Sequence, residues 1–163
     1  MRTTPRSFYQ LFVLPNLDDY LGAPDDARLG FNAALSAFQL ADIFHAFYTR
    51  EDPSIIAQWK KLAGLHRHLG SIEPCYLTVQ SLATVYKHLY AIGGHYEVGT
   101  PGAVWGVSIP RAKIGLQSEW GDEARPLGDV MVKRLNGDTV SLTDALSRVV
   151  NEMWPNFLPE EQA

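Results

Sequence analysis

Four histidines, His45, His66, His68 and His88, carry the side chain best suited to moving a proton near neutral pH, and all four fall in stretches with helical periodicity. Asp42-x-x-His45 sets a carboxylate and an imidazole one turn apart, the i, i+3 spacing used by di-metal sites inside helical bundles. Such sites also need several carboxylates from facing helices, and Glu73, beside Pro74, is the one other inward candidate. Neither a metal nor a cofactor is therefore expected. Asp42 and His45 are read as a surface pair or a buried hydrogen-bonded pair that fixes helix packing, and as candidate binding residues. His66 lies between Leu62 and Leu69 on an apolar stripe, which favours a satisfied core histidine over a base or ligand. The basic–imidazole pairs, Lys61 with His66 and Lys87 with His88, are the candidate catalytic groups.

Other chemistry is poorly supported. Ser81, Thr84 and His88 share a polar stripe, but a serine inside a regular helix lacks the exposure and oxyanion donors of a nucleophile. No G-x-x-x-x-G-K-[ST], G-x-G-x-x-G or G-x-S-x-G occurs, and Gly99-Thr100-Pro101-Gly102 reads as a tight turn. Cys75 is the sole cysteine, which excludes an intramolecular disulfide and a cysteine-based metal cage; it is read as a small buried hydrophobe. Trp105, Trp120, Tyr96 and Trp154 are candidate small-molecule contacts, or core fillers. Lys60, Lys61, Arg67 and His68 form a weakly basic solvated face that an acidic protein partner would fit.

The elements that must position these groups follow from patterning. Residues 7–21 predict a helix with Ser7 as cap and Pro15 splitting it in two. Residues 25–49 predict the most apolar helix, with only Asn32, Ser36 and Gln39 as a polar stripe. Asp52-Pro53 opens a third helix, ending at Gly70. The fourth spans 73–91, with Cys75, Val79, Leu82, Tyr86 and Leu89 on its apolar side, and closes at Gly93-Gly94. Beyond it, nine of the thirteen glycines fall between 93 and 137. There, Val104 to Ile109 and Lys113 to Gln117 read as strands, and residues 129–142 as a hairpin turning on Asn136-Gly137 in a type I′ turn. A last helix is capped by Ser141 or Thr143 and stops at Pro155. The expected fold is α+β, mainly α, in one domain. An antiparallel four-helix bundle (1–92) precedes a small antiparallel β hairpin or sheet (93–142) and a C-terminal helix (143–157).

Composition agrees. A chain of 163 residues, 46% hydrophobic and 20% charged, is globular and buries about 70% of its unfolded surface. With 14 Lys+Arg against 18 Asp+Glu the net charge is -4, which argues against general nucleic-acid binding. The apolar run Phe8 to Leu14 is broken by Gln10 and stopped by Pro15, so neither a membrane span nor a signal sequence is expected and the address is cytoplasmic.

Val13-Leu14-Pro15-Asn16-Leu17, the run from Phe31-Asn32-Ala33-Ala34 to Phe38-Gln39-Leu40-Ala41-Asp42, Pro74-Cys75, Val85-Tyr86-Lys87-His88 and the Asn136-Gly137 hairpin with Trp154 resemble a group of uncharacterised bacterial proteins. The helical part is similar to HEPN-type four-helix bundles. That resemblance implies either RNA cleavage or a dimeric module working with nucleotide-handling partners. HEPN nucleases carry Arg followed by four to six residues and then His, and no arginine here precedes a histidine at that spacing. Lys61 and His66 come nearest, without the planar fork of an arginine. Where such relatives read Arg-Asp and Asn before Lys-His, this chain has Gln80, Ser81 and Thr84, so only Lys87 and His88 carry over. The expectation is thus a non-catalytic helical interaction protein acting as a homodimer. The alternatives are a metal-independent ribonuclease of HEPN type and a small-molecule-binding protein.

Overall fold

The computed structural model describes residues 4–88, 96–109 and 127–160. Helix α1 (5–22) is capped by Thr4, whose side chain accepts from the Ser7 backbone N–H at 3.0 Å while the Ser7 hydroxyl receives the Thr4 N–H at 2.8 Å. Ser7 is therefore the third-residue partner in a reciprocal box rather than the cap itself, and Pro5 takes the first helical position, where no donor is needed. Pro15 does not split this helix. The five residues Tyr9–Val13 widen into a π turn, in which the Leu14 N–H bonds the Tyr9 carbonyl, and this room accommodates the proline ring against the preceding turn. The last helix, α5 (142–157), repeats the device. It is capped by Ser141, passes through a π turn at Arg148–Met153 and runs past Pro155 to Phe157 instead of stopping there.

Helix α2 (Ala27–Glu51) is capped by Asp26, whose carboxylate accepts the N–H groups of Arg28 and Leu29. It contacts every other helix and the first strand. Its buried face is rich in small residues, Gly30, Ala33, Ala34, Ala37 and Ala41 with Leu40 and Phe44, so neighbouring backbones approach closely. Gly30 shows the requirement directly: a Cβ there would lie 2.7 Å from a Leu142 methyl and 3.3 Å from the Tyr20 ring.

Helix α3 begins at Leu62, not at Asp52-Pro53, and runs to Ile72. Asp52 ends α2, and its carboxylate turns to the Ser54 N–H and hydroxyl, so it closes one helix without opening the next. Residues 53–60 form successive three-residue-spaced turns that bury Ile56. Helix α4 (Cys75–His88) follows; its predicted end at 91 lies outside the described residues. Its buried face is Tyr76, Thr78, Val79, Ser81, Leu82, Ala83 and Val85. That is rotated from the expected stripe, leaving Cys75 half-buried and Tyr86 exposed.

Three antiparallel strands in the order β1 (Val104–Ile109), β2 (Leu127–Lys133) and β3 (Thr139–Ser141) complete the fold, making it α+β and mainly α. Val104 pairs with Val132 and Ile109 with Leu127, while Met131 pairs with Ser141. Val130 and Val132, expected on one face, are both fully buried in the core. The hairpin turns as expected at Asn136-Gly137 but through three loop residues. The Gly137 N–H bonds the Arg134 carbonyl, Gly137 takes φ +97°, and the Arg134 N–H meets the Asp138 carbonyl. A turn followed by one left-handed glycine therefore replaces the two-residue type I′ form. The predicted strand at Lys113 to Gln117 lies outside the described residues.

Candidate functional site

The α3–α4 connection is short and tightly bonded. The Glu73 N–H closes α3 on the Leu69 carbonyl, and the Glu73 carboxylate accepts the Cys75 N–H at 2.9 Å to start α4. This places Tyr76, in the first turn of α4, opposite His66 on α3. The Tyr76 hydroxyl lies 2.7 Å from His66 Nδ1, and His66 Nε2 lies 3.2 Å from Asp42 Oδ1 on α2. Phe38, one turn before Asp42, stacks on the imidazole at a centroid distance of 4.9 Å. Helix α2 thus supplies both the acceptor and the ring that set the histidine's orientation.

Chemistry assigns the protons. A carboxylate only accepts, so His66 Nε2 donates to Asp42, which leaves Nδ1 facing the phenol hydroxyl. Burial holds the Tyr76 hydroxyl protonated well above its usual range, with the negative charge of Asp42 adding to the effect. The row runs from a half-exposed carboxylate (48%) through a nearly covered imidazole (11%) to a fully buried phenol. Its inner end cannot touch a substrate, and both ring nitrogens are engaged. The arrangement orients an imidazole and links three helices.

The structure therefore separates Asp42 from His45. His45 Nε2 donates instead to the Trp59 carbonyl at 2.9 Å, pinning the turns before α3, and Asp42 serves His66. His68 packs on the ring of Trp59. Lys61 is exposed at the start of α3, and Lys87 and His88 are exposed at the end of α4. Among the described residues, His66 is the one of these four histidines that meets an acidic partner. Trp154 is buried, its indole N–H donating to the Ala37 carbonyl at 3.2 Å. Trp105 belongs to β1, and Trp120 lies outside the described residues. Tyr96 lines a cavity with Phe38, Ala63, His66, Arg67 and Gln80. Burial raises the Cys75 thiol pKa, and Glu73 raises it further.

Two clusters were not anticipated from sequence. In the first, Thr78 on α4 donates to Glu97 at 2.6 Å, while Arg134 at the end of β2 donates to Thr78 at 2.8 Å and ion-pairs with Glu97 at 3.1 Å. Ser81 joins it, its hydroxyl accepting the Glu97 N–H at 2.8 Å, so the expected polar stripe of α4 is in part a buried joint to the β part. In the second, the hydroxyls of Tyr20 and Thr143 both donate to Asp129, at 3.1 and 2.8 Å. Burial raises the Tyr20 phenol well above its usual range. Sequence spacing offers no route to contacts that span 109 or 123 residues. The only hint was that polar residues interrupt otherwise apolar runs.

Among the described residues, no group of three His, Cys, Asp or Glu is placed to hold a metal ion, and no helix is long and apolar enough to cross a membrane. No family model, curated protein or solved structure matches the chain at a significant level.

Proposed function

We propose that the chain is a non-catalytic interaction protein that works as a homodimer, with α1 to α4 arranged as an antiparallel four-helix bundle and a second copy seated on α1. The observation that carries this is the pair Leu11 and Phe12, which are 54% and 51% exposed on adjacent positions of α1. Phe8 extends the patch, its ring 4.9 Å from that of Phe12. By contrast α2, the most apolar helix by sequence, has no exposed large hydrophobic residue. Apolar surface left over after one chain has covered itself is what a second copy removes from water. The resemblance to dimeric HEPN-type modules points the same way.

Sedimentation equilibrium of the full chain is expected to give a dimer that Leu11→Ser with Phe12→Ser converts to a monomer of unchanged helicity. A wild-type monomer throughout the micromolar range overturns the reading. A mixed RNA pool is expected to stay intact; cleavage that His88→Ala or His66→Ala abolishes would put the ribonuclease reading in its place.

A further inference from the structure

The cavity between α2, α3 and α4 has a built wall. It encloses about 460 Å³, within the range of small-molecule sites, and lies between helices, where such sites are common. On one side stand Phe38 and the His66 imidazole, stacked within 19° of parallel. The imidazole is locked at both nitrogens, so this aromatic wall is pre-set before any ligand arrives. Ala63, one turn before Arg67, contributes only a methyl group and leaves the entrance open.

Two donors lining the cavity have no side-chain partner among the described residues. Arg67 is exposed and makes no ion pair among the described residues, and the Gln80 side-chain amide makes no hydrogen bond among them. An arginine fork and an amide facing one space fit a planar group with two acceptor oxygens. Asp42, the nearby negative charge, is turned toward His66 Nε2. We propose that this cavity binds a planar aromatic carboxylate, its ring against Phe38 and His66 and its carboxylate on Arg67 and Gln80. The site shares no residue with the proposed dimer patch on α1 and stands or falls independently of it.

The test titrates the full chain with naphthalene-2-carboxylate, with the neutral naphthalene-2-carboxamide as comparator, following intrinsic fluorescence and calorimetric heat. Saturable binding of the acid tighter than about 1 mM is expected, with the carboxamide at least tenfold weaker. Arg67→Ala, a change at an exposed position, should bring the acid down to the carboxamide's affinity without altering the thermal unfolding midpoint. Ala63→Phe should abolish binding of both by filling the entrance. No saturation with the acid, equal affinity for acid and carboxamide, or unchanged binding in Arg67→Ala or Ala63→Phe each overturns the proposal.

Discussion

The Tyr9 hydroxyl should be worth more than an ordinary hydrogen bond, because it donates to a buried carbonyl that the π turn of α5 and Pro155 deprive of its helical partner. In the π turn of α5 the Trp154 N–H bonds the Val149 carbonyl. The next donor in that register belongs to position 155, and Pro155 has none. The Val150 carbonyl is thereby deprived of its helical partner, and Tyr9, from the π turn of α1, donates to it at 3.0 Å in the interior. Burial raises the pKa of Tyr9, so the hydroxyl stays a donor throughout the physiological range. Tyr9→Phe keeps the ring and deletes only the donor, so the loss is that of an unsatisfied buried acceptor, about 1–3 kcal/mol. Urea unfolding followed by tryptophan fluorescence measures it. Pro155→Ala supplies an N–H at position 155 that can reach Val150. In that background Tyr9→Phe should cost less, with a coupling energy of at least about 0.5 kcal/mol. Strict additivity of the two substitutions, or a Tyr9→Phe variant as stable as the parent, refutes the reasoning.

Three further outcomes follow from the same geometry. Tyr20 and Tyr76 keep their protons in the folded state above tyrosine's ordinary pKa of 10.0, whereas the unfolded chain ionises there. Their contribution is complete below that pH and is lost as pH rises beyond it, at up to about 1.4 kcal/mol per pH unit for each tyrosine; unfolding free energy that stays flat from about pH 9 to about pH 11 would contradict this. Gly64→Ala, where an added Cβ meets nothing within 4 Å, should stabilise the protein by about 0.5–1 kcal/mol, while Gly30→Ala should lower the thermal midpoint through its contacts with Leu142 and Tyr20. The Cys75 thiol, its pKa raised by burial and then by Glu73, should react with a disulfide reagent at neutral pH more slowly than a free cysteine, and faster in Glu73→Gln; identical rates would count against the assignment.

Periodicity made the long elements legible. Helix α2 was readable because it shows many repeats of one pattern, and the strand Val104–Ile109 because Pro110 closes a short run of residues. The errors arose where a local signal has two meanings. Asp52-Pro53 can close a helix as well as open one, and here the carboxylate served the closing side. Proline breaks a helix only if the helix keeps its ordinary register, which α1 and α5 abandon. Of the site, His66, read as a satisfied histidine on the apolar stripe, is bonded at both ring nitrogens. Its partners were not found, because Tyr76 depends on the rotational phase of α4 and Asp42 on which of two nearby histidines lies across the helix interface. A three-residue spacing within one helix suggested His45, and the tertiary contact chose His66.

The bonds between α1 and α5 also set an order of events during synthesis. Arg6 donates to the Leu158 and Pro159 carbonyls, at 2.8 and 3.0 Å, across sequence separations of 152 and 153 residues, and Tyr9 reaches Val150 across 141. A chain emerging from the ribosome carries α1 through the translation of everything that lies between it and α5. Throughout that interval the face of α1 bearing Tyr9, Val13 and Leu17, buried in the finished fold, lacks what α5 contributes to its cover, while Leu11 and Phe12 stand exposed beside it. Contacts of such long separation form slowly and expose apolar surface meanwhile. Helix α1 is therefore closed in only once α5 has been made, and until then the nascent chain exposes apolar surface that the finished fold buries.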